Sequence, residues 1–156
     1  MAIRKLKSVQ QEIKKQVVDC IRKVMLLHDD ILFSFIYGSF VDPEVANSYG
    51  DIDVAIYSLA SDVEGKSYIF EARLEEEIVE ELSANKLYLL PVEVINLKQA
   101  PYHFLVSLFK RPYLMIKENE DTFTFLIEET SGRALANNHL RKESIREFLE
   151  ADICQI

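Results

Sequence analysis

Residues Ile31 to Tyr37 read ILFSFIY, an almost unbroken apolar run rich in Ile and Phe, and Gly38 closes it. So short a run of β-forming residues predicts a strand buried on both faces. A strand of that kind constrains everything around it, because its sheet needs cover above and below. The preceding segment offers some. Between Ser8 and Leu27, Val9, Ile13, Val17, Ile21, Val24 and Met25 recur at three- and four-residue steps among Lys, Arg, Glu and Gln, the period of an amphipathic helix.

Beyond Gly38 the stretch Phe40 to Gly50 is turn-forming, with Pro43 to Ala46 able to make one helical turn. Asp51 to Tyr57 then alternates, with Asp51, Asp53 and Ala55 on one face and Ile52, Val54 and Ile56 on the other, which predicts a second strand. A helix capped by Ser61 or Asp62 should run to about Ala84 on the stripe Val63, Phe70, Leu74, Ile78 and Leu82. Leu87 to Asn96 contains a third strand in which Glu93 faces away from Val92 and Val94. Pro101 suits the first position of a short helix to Phe109, and Lys110-Arg111-Pro112 turns into a strand at Tyr113 to Ile116. Asp121 to Ile153 reads as helix, with breaks expected near Gly132 or Asn137-Asn138. The expected class is α/β in the α+β sense, a small mixed β-sheet covered by helices, in a single domain spanning 1–156.

Charge narrows the ligands. Asp and Glu outnumber Lys and Arg by 26 to 18, a net charge of −8, so most of the surface repels phosphate backbones and nucleic acid is a poor main ligand. A nucleoside triphosphate stays admissible if a divalent cation supplies the positive charge. Cys20 and Cys154 have no metal-ligand spacing and are expected to remain reduced. No apolar run is long enough for a membrane span, and a cytoplasmic location is the expectation.

Three features carry chemistry. A buried strand ending in Gly38-Ser39 offers a hinge, a hydroxyl and nearby N–H groups able to meet an anion. Asp51 and Asp53, separated by one strand residue, present both carboxylates on one side, where like charges repel unless a cation holds them. Glu93 is an acid within an apolar strand. Gly-Ser turns and solvated acids are each commonplace, but together they make a coherent site for Mg²⁺-dependent phosphoryl chemistry.

Gly38-Ser39 followed by Asp51-Ile52-Asp53-Val54-Ala55-Ile56 resembles the signature of the DNA-polymerase-β-like nucleotidyltransferase superfamily, over roughly residues 31–96. The short chain is similar to the minimal nucleotidyltransferases encoded beside HEPN-domain proteins. The resemblance implies Asp51 and Asp53 as metal ligands, Glu93 as the third catalytic and metal-binding carboxylate, and Gly38-Ser39 as the triphosphate turn. It also implies Mg²⁺, as two ions, and ATP as substrate. The implied activity is AMP transfer to a hydroxyl, a tyrosine, of a HEPN-type ribonuclease toxin, making the chain the antitoxin of a type VII-like pair. A small-molecule acceptor, or a degenerate antitoxin acting by contact alone, are the alternatives. The sequence departs from the family pattern at Phe40 and Val41, where an Arg is common, at Gly50, where a Ser is common, and at Glu93, where Asp is commoner.

Other features read as structure. His28, His103 and His139 are dispersed and receive no role. The acids Glu75-Glu76-Glu77 and Glu80-Glu81 read as a solvated helix face. Phe123, Phe125, Leu126 and Ile127 read as core, with room for a homodimer contact.

Overall fold

A computed structural model describes residues 2–42, 50–59 and 67–136. The chain begins with helix α1 (Ala2–Leu26), six residues earlier than the apolar stripe from Ser8 requires. Its last turn closes through Leu27 and His28 N–H groups onto Val24 and Met25 carbonyls. Strand β1 (Ile31–Tyr37) follows and is buried along most of its length, as its composition predicts. Next come a 3₁₀ turn at Gly38–Phe40 and strand β2 (Ile52–Ser58). Asp51 sits one residue before the ladder begins, an ordinary uncertainty at a strand end.

Helix α2 is described over Ser67–Ala84, so the capping residues Ser61 and Asp62 and the stripe residue Val63 lie outside the described residues. Its C-terminus is a Schellman motif. Lys86 takes φ 57°, its N–H reaches Ser83 O at 3.1 Å, and Leu87 N–H reaches Leu82 O at 2.7 Å. Leu82 and Leu87 both enter the core, the apolar contact that accompanies this motif. Strand β3 (Val92–Asn96), a 3₁₀ turn at Leu97–Gln99, helix α3 (Tyr102–Phe109) and strand β4 (Tyr113–Lys117) follow. Pro101 is the N-cap of α3 rather than its first residue. Helix α4 occupies 120–136 and passes through Gly132 unbroken, while Asn137-Asn138 lie outside the described residues.

The sheet order is β3-β2-β1-β4. β1 pairs antiparallel with β2 and β4, and β2 pairs parallel with β3, the crossover being made through α2. The alternation along the strands sends side chains into two separate cores. On one face Ile36, Ile52, Val54, Ile56 and Val94 pack with Val17, Ile21 and Met25 of α1 and Leu74, Ile78 and Leu82 of α2. On the other, Phe33, Phe35 and Ala55 pack with Leu105 and Leu108 of α3 and Leu126 of α4. Phe123 stands edge-on to Phe33 at 5.2 Å and to Tyr113 at 5.8 Å, so it belongs to this second core. Phe125, by contrast, is 62% exposed.

The acidic face of α2 is only partly solvated. Glu76 and Glu80 are exposed, whereas Glu75, Glu77 and Glu81 are half-buried and bonded. Glu75 accepts from Val94 N–H at 2.9 Å and Glu71 from Asn96 N–H at 2.8 Å, so two helix carboxylates satisfy the outward-facing amides of edge strand β3. Glu81 meets Lys23 at 3.0 Å, and Glu77 meets His28, whose ring lies edge-on to Phe70. His103 is exposed, and His139 lies outside the described residues. Cys20 is buried, with a thiol pushed up by burial first and by Glu81 next, which keeps it protonated; Cys154 lies outside the described residues.

Candidate active site

The parallel β2/β3 register sets Asp53 opposite Glu93, and the antiparallel β1/β2 register sets Tyr37 opposite Asp53. One row of side chains therefore crosses the sheet at the end where β1 stops and β2 begins. Asp51, two residues before Asp53, rises on the same side. Carboxylate oxygens of Asp51, Asp53 and Glu93 lie within 4.8 Å of one another. Farther along the same face Ala55, Phe33 and Phe35 are fully buried, so the acids form the wet rim of an aromatic core.

Asp53 is the inner member, half-buried, while Asp51 and Glu93 are exposed. Its carboxyl is pushed above the ordinary range by burial first, then by the charges of Glu93 and Asp51. The Tyr37 phenol is pushed up as well, by burial and then by Asp53 and Glu93, so it remains a neutral donor beside the carboxylates. Among the described residues no Lys or Arg pairs with any of the three acids. Clustered, uncompensated carboxylates with access to solvent are the chemistry of an oxygen-ligand site for a hard divalent cation.

The turn that precedes them is shaped around Asp53. Gly38 takes φ +78°, and a Cβ there would collide with the Asp53 carboxylate. The Gly38 carbonyl accepts from Val41 N–H at 3.2 Å and Asp42 N–H at 3.1 Å, which curls the chain into the 3₁₀ turn bearing Ser39. Phe40, where an Arg is common in the resemblance, is 5% exposed and seated in the α1-side core. Lys14 of α1 donates to its carbonyl at 3.1 Å and lies 5.3 Å from its ring centre. This loop is thus pinned by packing from beneath. Gly50 is exposed, with open space around its Cα, and the Pro43 to Ala46 stretch, expected to make one helical turn, lies outside the described residues.

The family model described as polymerase beta, nucleotidyltransferase matches residues 19–121, which span β1, the turn and all three acids. The chain belongs to the polymerase β nucleotidyltransferase family. No curated protein matches its sequence. Several solved structures share its fold. A chain from the complex of tri-AMPylated Shewanella oneidensis HEPN toxin with MNT antitoxin is 14% identical with TM-score 0.54, covering 90% of this chain and 98% of that one. A chain from a toxin–antitoxin complex with AMP-PNP is 13% identical with TM-score 0.60, covering 85% and 98%. One from the toxin–antitoxin MntA-HepT is 12% identical with TM-score 0.54, covering 89% and 98%. At such identities the likeness speaks for the nucleotidyltransferase fold, and it extends over nearly the whole of each neighbour.

The five candidate site residues stand in this one region, Gly38 and Ser39 on the turn and Asp51, Asp53 and Glu93 on the row. Tyr37 went unremarked, although its parity was available: it directly precedes Gly38 on a strand whose face it shares with Phe33 and Phe35. Lys14 carried no local signal, because a helix 26 positions away from Phe40 delivers it. Among the described residues no helix is long and apolar enough to cross a membrane.

Proposed function

We propose that this single domain, residues 1–156, is a Mg²⁺-dependent nucleotidyltransferase that moves AMP from ATP to a tyrosine hydroxyl of a HEPN-type ribonuclease toxin and so acts as its antitoxin in the cytoplasm. The observation that carries the reading is the carboxylate cluster Asp51, Asp53 and Glu93, beside a glycine turn shaped to fit it, in a chain of this family. The acceptor rests on the fold likeness to chains from HEPN toxin complexes, one of them AMPylated.

Asp51 and Asp53 would hold the cations, two Mg²⁺ ions in this reading, with Glu93 completing the ligand set. When bound, the metal neutralises the triphosphate and lowers the pKa of the attacking hydroxyl. The Gly38-Ser39 turn holds the triphosphate through its N–H groups and the Ser39 hydroxyl. The acceptor oxygen bonds to the α-phosphorus as the bond to the β-phosphate bridging oxygen breaks. Pyrophosphate leaves with that electron pair, and Glu93 accepts the hydroxyl proton. The donors and carboxylates are preorganised on strand ends and a packed turn, which is where such electrostatic catalysis gains most.

The test is transfer of label from α-labelled ATP to a co-purified HEPN protein with Mg²⁺. Wild type should label it, and Asp51→Ala with Asp53→Ala should not. Absence of label, with toxin inhibition intact in that double variant, sinks the enzymatic reading and leaves neutralisation by contact.

A further inference from the structure

The strongest feature outside the site is electrostatic. The sequence of α1 carries seven of the 18 Lys and Arg residues and two of the 26 Asp and Glu. A basic helix therefore lies against a protein whose net charge is −8. Beside it runs a groove of about 530 Å³, with Lys14, Lys15 and Arg22 of α1 on one side and Tyr113 and Leu114 of β4 on the other. Val41, which follows the Gly38–Phe40 turn, also lines it.

Among the described residues β4 is an edge strand, and α1 guards only part of it. Arg22 donates to Ile116 O at 3.2 Å and Met115 O at 3.5 Å, covering the C-terminal half. Tyr113 and Leu114 remain 41% and 40% exposed. Tyr113 pairs with Tyr37, which pairs with Asp53, so this end of the edge lies two strand spacings, roughly 10 Å, from the acid row, with Tyr113 on the acid face of the sheet and Leu114, opposite Ile36, on the α1 face, so that a segment bound here reaches the acids around the strand edge.

We propose that this groove seats an acidic, extended segment of the acceptor protein, laid along β4 at Tyr113 and Leu114 with its carboxylates toward the exposed Lys15. The inference rests on the nucleotidyl-transfer reading and names how its acceptor is held. Apolar walls with a cationic rim suit a polypeptide of mixed apolar and acidic residues. Elsewhere the acidic surface repels such a segment, so the groove also sets its direction of approach. A nucleic acid fits less well, since its regularly spaced phosphates need several cations in line, whereas Arg22 is engaged by Asp19 and two carbonyls and Lys14 by the Phe40 carbonyl, which leaves the exposed Lys15 to meet a carboxylate.

The test uses the full chain and a HEPN-domain acceptor, comparing wild type with Lys15→Glu combined with Leu114→Ser, both positions exposed and outside the catalytic row. Acceptor binding is measured by calorimetry without ATP, and label transfer is resolved into kcat and KM for acceptor and ATP. The expected result is a weakening of acceptor binding and a rise in acceptor KM of about tenfold or more, with ATP KM, melting temperature and Mg²⁺ protection unchanged. Rising salt should weaken wild-type acceptor binding and leave the variant little affected. Unchanged acceptor KM in a variant that still transfers label overturns the groove and leaves the catalytic reading standing. Wild type that neither binds nor labels the acceptor, while Mg-ATP still protects it, overturns the acceptor assignment and the groove with it. Displacement of the acceptor by short single-stranded RNA, with RNA binding lost in the variant, assigns the surface to nucleic acid and overturns the proposal too.

Discussion

Asp53 is the residue around which the site is arranged: Gly38 lies against its carboxylate, Glu93 and Tyr37 stand on either side, and Asp51 is at the strand mouth. Substituting Gly38 by Ala forces an L-residue into φ +78° and pushes the new methyl at the Asp53 carboxylate. The expected cost is about 1–3 kcal/mol of stability, read by denaturant melts, and a larger loss of transfer than any other turn substitution to Ala. Asp53→Asn should separate stability from function. The folded-state pKa of Asp53 is raised, so the metal-free fold favours its protonated form. Its contribution to stability is therefore fully present at acid pH and lost as pH rises through the raised pKa. Metal-free Asp53→Asn should accordingly melt higher than wild type at about pH 8, with the gap closing toward about pH 4, while transfer falls by about a thousandfold. A variant that melts lower than wild type at the higher pH would show that Asp53 is compensated by a contact other than metal. Mg²⁺ binding by wild type should weaken on acidification, because the ligand must be ionised.

At the scale of elements, the least expected device is the pair of helix carboxylates that close the β3 edge. β3 carries Glu93 and pairs with β2 on one side only, so its outer amides need partners, and Glu75 and Glu71 provide them. The Glu71 carboxyl is pushed up by burial, with the Asn96 N–H acting against that rise. Glu75→Ala should leave the Val94 amide unsatisfied, cost about 1–3 kcal/mol, and speed hydrogen exchange at Val94 and Asn96 ahead of the rest of the sheet. Transfer should fall with it, because Glu93 is held by that strand. These contacts explain what was legible in the sequence and what was not. The strands at Ile31–Tyr37 and Ile52–Ser58 announce themselves because the period of two is local and one face of each is apolar. The residues of the site followed from the same alternation, and the register of three strands then brought them together. Glu75 and Glu81 read as surface because their partners, Val94 N–H and Lys23, are 19 and 58 positions away, and periodicity says nothing about such distances. Ser34 shows the opposite case. It sits fully buried in β1 with no hydrogen-bond partner for its hydroxyl among the described residues, so Ser34→Ala should be neutral or stabilising by up to about 1 kcal/mol in a thermal melt.

For the molecule as a whole, charge joins the fold to the proposed chemistry. A net −8 concentrated outside α1 means the folded chain repels itself, and any salt that screens this should raise its melting temperature. Mg²⁺ should do so by two routes that can be told apart. General screening depends on ionic strength and is shared by NaCl and by every variant. Occupation of the carboxylate cluster is saturable, works at concentrations too low to alter screening, and stabilises in proportion to the logarithm of metal over its dissociation constant. A Mg²⁺ titration of wild type at fixed ionic strength should therefore raise the melting temperature along a binding curve. The same titration of Asp51→Asn with Asp53→Asn should be flat, since the neutral amides keep the shape and remove the charge that draws the ion. The untitrated double variant should start above metal-free wild type, because the repulsion that Mg²⁺ would relieve is already gone. A binding curve that survives in the double variant would locate the ion elsewhere on the acidic surface, for instance among the exposed Glu76 and Glu80 of α2, and would remove the metal from the acid row.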